Sequence, residues 1–144
     1  MPAGQKLSAG RIPGERIATA VLTGDFGAVT TVETSLGSVT AALVSGRTYR
    51  VRFVTRIGST VANDTVLVRI REDTVAGNEL IGDFYFLPST GAAGNIIQAE
   101  GEYTASATAA KTFHLTVARN AGTGTYRREG TFMPTYIYVE YVRG

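Results

Sequence analysis

Apolar and polar residues alternate along most of this chain with a period of two. "TYRVRFVTRI" (48–57) shows it most cleanly. Tyr49, Val51, Phe53, Thr55 and Ile57 fall on one side, and Arg50, Arg52, Val54 and Arg56 on the other. Such alternation marks a β-strand with one buried face. The same reading predicts strands over 16–23, 28–35, 39–44, 64–72, 79–88, 96–105, 111–119 and 135–142, with 126–133 as an edge strand ending at Pro134. "GDFG", "LGS", "SGR", "GSTVAN", "AGN", "STGAAGN" and "NAGTGT" are the expected turns and loops. No window carries helical periodicity. Eight to ten short strands at this spacing predict an all-β fold, two packed antiparallel sheets in a sandwich of jelly-roll type. Residues 1–14, broken by Pro2, Gly4, Gly10, Pro13 and Gly14, read as a short extended N-terminal arm, and 15–144 as the single β-sandwich domain.

Segments 48–57 and 64–72 are expected to pair as an antiparallel hairpin. In the second, Val66, Val68 and Ile70 face inward and Arg69 and Arg71 outward. That hairpin would gather Arg50, Arg52, Arg56, Arg69 and Arg71 into one basic strip. Stacking aromatics do not interleave with it, because Tyr49 and Phe53 are in phase with the core, so nucleic acid is disfavoured as its partner.

Two segments are apolar on both faces. In 79–88, Leu80, Phe84 and Phe86 share one face, and Ile81, Tyr85 and Leu87 the other. In 135–142, Tyr136, Tyr138 and Val142 oppose Ile137, Val139 and Tyr141. A sandwich strand has one face on the core, so the second face needs cover from a loop, the arm or another subunit. Tyrosine and phenylalanine are enriched in interface cores. Leu80, Ile81, Phe84, Tyr85, Phe86, Leu87, Tyr136, Tyr138 and Tyr141 are therefore the candidate subunit interface.

The 144-residue length fits one domain, and the 44% apolar content supports a real core. The net charge is only +2 despite a pI near 9.1, little for a non-specific nucleic-acid binder. Without cysteine, disulfides, thiolate metal sites and cysteine nucleophiles are excluded. No apolar run approaches the length of about 18 residues that a membrane helix needs, and the first residues lack the apolar centre of a signal peptide.

Catalytic chemistry finds no footing. The one histidine, His114, lies in phase with Thr112 and Thr116 and reads as a surface or interface residue. "GTGT" and "GAAG" lack the strand–loop–helix frame of a phosphate loop, and no serine stands in a nucleophile elbow. Glu100 and Glu102 share a strand face, as a glycosidase pair could. Cross-strand pairing with the abundant arginines is the plainer expectation. No catalytic residue, metal ligand or cofactor is expected, and the protein is read as not an enzyme.

Several motifs occur in a definite order: "LVSGRTYRVRFVTRIGSTVANDTVLVRIRED", then "EGEYTASATAAKTFHLTVARNAGTGT", then "PTYIYVEYV". Over residues 40–142 this order resembles a family of small β-sandwich virion proteins of tailed bacteriophages of actinobacteria. The opening "GQKLSAGRIPGE" is similar to the lead-in of such proteins. The resemblance implies a virion structural protein at the particle surface, often a homotrimer, of the capsid-decoration or minor-tail type. The chain has no shaft, coiled coil or collagen-like repeat, which favours decoration of the shell, bound to the major capsid protein and stabilising it. The attachment arm would then include Lys6, Leu7, Arg11 and Ile12. The alternative is a minor tail or fibre-tip protein that binds a host glycan through loops 58–63, 88–95 and 119–125.

Overall fold

The computed structural model describes residues 12–88, 90 and 94–144. Ten strands and no helix occur among them: β1 (Arg16–Leu22), β2 (Asp25–Val29), β3 (Thr34–Leu43), β4 (Thr48–Ser59), β5 (Asp64–Glu72), β6 (Glu79–Leu87), β7 (Asn95–Thr104), β8 (Ala109–Ala121), β9 (Tyr126–Glu129) and β10 (Thr135–Arg143). All pairings are antiparallel. One sheet runs β1-β10-β4-β9-β2 with β7 also on β4, and the other runs β3-β8-β5-β6. Val51 pairs with Val139 on one side and Gly101 on the other, so β10 and β7 flank β4. The sandwich is thus β1-β10-β4-β7 against β3-β8-β5-β6, the eight-strand order of a jelly roll. The short β2–β9 pair extends one end.

Alternation explains the core. Tyr49, Val51, Phe53 and Ile57 of β4, with Ile137 and Val139 of β10, face Val66, Val68 and Ile70 of β5 and Phe113, Leu115 and Val117 of β8. All are buried. Thr55 is also in the inward phase, and its hydroxyl is satisfied by the Thr135 hydroxyl at 2.7 Å, so the buried polar group costs little.

Two expectations fail. Segments 48–57 and 64–72 are not a hairpin, because β4 and β5 lie in opposite sheets. Both edges of β4 are occupied, by β10 and β9 on one side and β7 on the other, so β5 has no edge to join. The intervening residues cross the end of the sandwich instead. There Asn63 takes a positive φ of 64° and its N–H donates to the Leu87 carbonyl at 2.8 Å. The five arginines consequently divide between two outer faces, and no single basic strip exists.

Second, 28–35 and 39–44 are not separate strands. The expected break at "GDFG" lies largely within β2, and the expected turn at "LGS" lies inside β3. Leu36 is buried in the core, and the pairing of β3 with β8 shifts register between Ser35 and Gly37. This bulge leaves the Leu36 carbonyl to accept from the Arg128 guanidinium. A Cβ at Gly37 would displace the terminal methyl of Leu22. A third boundary moves as well: β9 stops at Glu129, whose carbonyl accepts from the N–H groups of Phe132 and Met133.

Because Leu36 sits in the core and not in a surface turn, Leu36→Ala is expected to cost about 2–5 kcal/mol. Urea unfolding measures this, and a loss below about 1 kcal/mol would return the residue to a turn.

Candidate functional site

The outer face of the β4 sheet is a ladder of paired charges. Register sets Arg50 opposite Glu102 and Arg52 opposite Glu100. The ion pairs lie at 3.7 Å and 3.4 Å, and Arg143 joins Glu102 at 2.9 Å. Glu100 and Glu102 are therefore cross-strand partners of arginine. Exposed pairs of this kind each contribute about 0–1 kcal/mol.

The other outer face is organised by Glu33, in the bend between β2 and β3. Its carboxylate accepts from Arg69 at 2.9 Å, from Arg71 Nε and Nη2 at 2.9 and 3.0 Å, and from the Thr116 hydroxyl at 2.5 Å. Arg71 forms a bidentate fork, the stronger geometry for an arginine–carboxylate pair. Glu79 holds Arg69 at 2.7 Å from the far side. Burial pushes the Glu33 carboxyl up, but the hydrogen bonds from Arg71 and Thr116 and the charge of Arg69 outweigh it and hold it below its ordinary value. His114 lies on this face too, with Nε2 at 3.1 Å from the Asp73 carbonyl and Nδ1 at 3.1 Å from the Ser35 hydroxyl. A carbonyl only accepts, so Nε2 donates to it, and the Ser35 hydroxyl, which also reaches the Gly37 carbonyl at 3.3 Å, sits beside Nδ1.

The nine candidate interface residues separate into groups. Leu87, Tyr138 and Tyr141 are buried within the chain itself. Tyr138 faces outward but is roofed by arginines: the Arg16 guanidinium lies 4.1 Å from its ring centroid, and Arg52 donates to its hydroxyl at 3.1 Å. Leu80, Ile81 and Tyr85 pack on the core as partly buried side chains. A register shift between Ile70 and Arg71, on the β5 strand beside them, turns both Leu80 and Ile81 toward Gly101 of β7. Tyr85 donates to the Gln98 carbonyl at 2.5 Å and closes that flank of the sandwich.

Phe84 and Phe86 remain outside, 58% and 60% exposed, on the outer face of edge strand β6. Phe84 is in register with the half-buried Leu67. Tyr136 is exposed on the opposite sheet, in register with Val21 and Val54. Of the arm, Lys6, Leu7 and Arg11 lie outside the described residues, and Ile12 is half exposed.

A cavity of about 560 Å³ opens where β4, β9 and β2 end. Gly58, Ser59, Thr60, Thr90 and Thr125 line it. They belong to the three segments expected to form a glycan-contact surface; of 88–95, residues 89 and 91–93 lie outside the described residues. Asp64, buried at the start of β5, anchors the third loop by accepting from Gly124 N at 2.5 Å and the Tyr126 hydroxyl at 3.2 Å. Burial, with the charge of Asp64, pushes the Tyr126 hydroxyl well above its ordinary range, so it stays a donor.

Glu129 and Arg127 complete the wall. Glu129 is fully buried; its Oε2 accepts from Arg56 Nε at 2.9 Å, while Oε1 has no hydrogen-bond donor. Sequence reasoning missed Glu129 and Glu33. Each is an isolated glutamate whose role depends on distant strands, so no spacing signal marks it. Among the described residues no group of three His, Asp or Glu could hold a metal.

No family model and no curated protein matches the chain. Among solved structures it is similar to a CBM4 structure, at 14% identity and TM-score 0.40 over 81% of this chain and 69% of that one. It is similar to the infectious bursal disease virus VP2 subviral particle at 13% identity and TM-score 0.44, over 87% of this chain and 37% of that one. A third likeness is TmCBM61 in complex with β-1,4-galactotriose, at 16% identity and TM-score 0.39, over 88% and 69%.

The Glu33 cluster has a pH signature. A carboxyl depressed in the fold stabilises above its ordinary value of 4.5, and that contribution is lost as pH falls through the lower folded value. Glu33→Gln should cost about 1–3 kcal/mol at pH 7. It should also narrow the gap between the urea midpoints at pH 7 and pH 3; an unchanged gap would remove Glu33 from the acid response.

Proposed function

We propose that this is a non-enzymatic structural protein of a virus particle. It forms a homotrimer on the outside of the capsid, held by the major capsid protein, and stabilises the shell. The motif order over residues 40–142, which resembles phage virion domains, supports the setting. The jelly-roll topology supports it only as a fold-level analogy, since that fold also serves lectin domains.

The observation that carries self-association is the pair Phe84 and Phe86. They project from one face of an edge strand whose core-side positions are already filled. Two adjacent exposed phenylalanines beside Leu67 form an apolar group that a second copy would cover. Asp83, in phase with Ile81 and Tyr85, places a charge on the inward side of the same strand and opposes edge-to-edge pairing. Copies would therefore meet through the face and not through the β6 backbone.

A second reading, a minor tail or fibre-tip protein that binds host glycan, is favoured by the cavity lined by Gly58, Ser59, Thr60, Thr90 and Thr125. Adsorption competition separates the two: a decoration protein leaves phage attachment unaffected by added purified protein, and a glycan binder blocks it.

Light scattering at tens of micromolar is expected to give three times the chain mass for the wild type. Phe84→Ser/Phe86→Ser should give the monomer mass with an unchanged circular dichroism spectrum. A wild type that is monomeric at that concentration would sink the self-association reading.

A further inference from the structure

The end cavity carries a specific chemistry. Its side-chain charges are Arg127 and Glu129, with Arg56 bonded to Glu129 from behind. The two lining charges balance, Arg56 adds a guanidinium behind Glu129, and the Asp25 carboxylate also feels the charge of Arg127. Arg127 is the exposed member, with its side chain 51% accessible. Its Nη2 lies 3.5 Å from Glu129 Oε1, within ion-pair range but without a hydrogen bond. A fully buried carboxylate oxygen without a donor is an unusual expense in a folded protein. Here it faces the guanidinium that borders the cavity.

The rest of the wall is hydroxyl and glycine. Thr60 and Thr125 bind each other's backbone, with Thr60 N donating to the Thr125 carbonyl at 3.1 Å and Thr125 N to the Thr60 hydroxyl at 2.9 Å. This clasp ties the two loops together at the rim and fixes the Thr60 hydroxyl. Gly58 cannot carry a side chain, because a Cβ would collide with the Glu129 carboxylate. Gly27 also borders the space, with a φ of 100° that only glycine adopts readily. The volume suits a ligand of a few sugar rings.

We infer that this cavity binds a saccharide bearing a carboxylate, of the uronic-acid class. The Arg127 fork receives the carboxylate, and the threonine hydroxyls at the rim meet the sugar hydroxyls. Glu129 is a positioning residue: its charge holds Arg127 over the cavity. The guanidinium selects the acid, because planar bidentate pairing suits a carboxylate. The inference rests on the glycan-binding reading and names its site and ligand class.

Calorimetric titration of the full chain with trigalacturonate, β-1,4-galactotriose and acetate tests it. Trigalacturonate should bind at least about tenfold more tightly than galactotriose, and acetate should not compete at equal concentration. Arg127→Ala, at an exposed position, should abolish the preference, and Arg127→Lys should restore part of it. Glu129→Gln should lower the trigalacturonate-to-galactotriose preference, whereas a purely structural role would lower the melting temperature and leave the preference intact. Equal binding of the two trisaccharides, or indifference to Arg127→Ala, overturns the acidic-saccharide assignment while leaving glycan binding standing. If no saccharide on a glycan array binds, the glycan reading itself falls. Equal competition by acetate would show a bare carboxylate site and overturn the saccharide.

Discussion

Strand β4 is hydrogen-bonded along both edges, to β10 and then β9 on one side and to β7 on the other. Everything else in the larger sheet is placed by that strand. Its inward residues Tyr49, Val51, Phe53 and Ile57 are almost without solvent contact. A slip of one position would exchange them for Arg50, Arg52, Val54 and Arg56, and put guanidinium groups into the core. The register of four strands therefore depends on one alternating pattern. The same register sets Arg50 and Arg52 opposite Glu102 and Glu100, and near the end of β4 it places Gly58 against the Glu129 carboxylate.

This coupling shapes the surfaces as well as the core. Arginine has two distinct jobs. On the β4 sheet, Arg16 and Arg52 lay their stems and charge over Tyr138, so an aromatic that alternation sends outward is covered by its own chain. On the β5 sheet, Arg69 and Arg71 are tied down by Glu33 and Glu79. Apolar side chains that stay open include Phe84 and Phe86 on one sheet and Tyr136 with Val21 on the other, and also Phe26, Val32, Ile96 and Phe132. On a surface where many charges are locally paired, the adjacent phenylalanines of the β6 face and the charges of the end cavity stand out.

The fold was legible to the extent that it depends on phase. Alternation located the strands at 48–57, 64–72 and 111–119 and their inward residues, because core contact and sequence period share one cause. Alternation does not say which sheet a strand joins, since β4 and β5 would show the same pattern whether paired or facing. The β2–β3 boundary was misread because "LGS" has turn composition, while the core claims Leu36 and Arg128 claims its carbonyl. Gly58, Ser59, Thr60, Thr90 and Thr125 share one cavity because the segments that hold them connect strands at one end of the sandwich. Glu129 could not be anticipated, because its meaning depends on Arg56, 73 residues away in sequence.

The strand order has a consequence for how the chain reaches this state. There are eight strand pairings, and only β5 with β6 joins strands that are consecutive in sequence. Every other pairing must close a long loop before any hydrogen bond offsets the lost chain entropy. Strand β10, made after all the others, lies between β1 and β4 in the interior of its sheet. Until residues 135–143 leave the ribosome, that sheet has a gap at its centre, and β1 and β4 each show an unpaired edge to other nascent chains. Synthesis at about 5–20 residues per second therefore sets a window in which the chain is vulnerable to aggregation, and the window closes only when the last strand inserts.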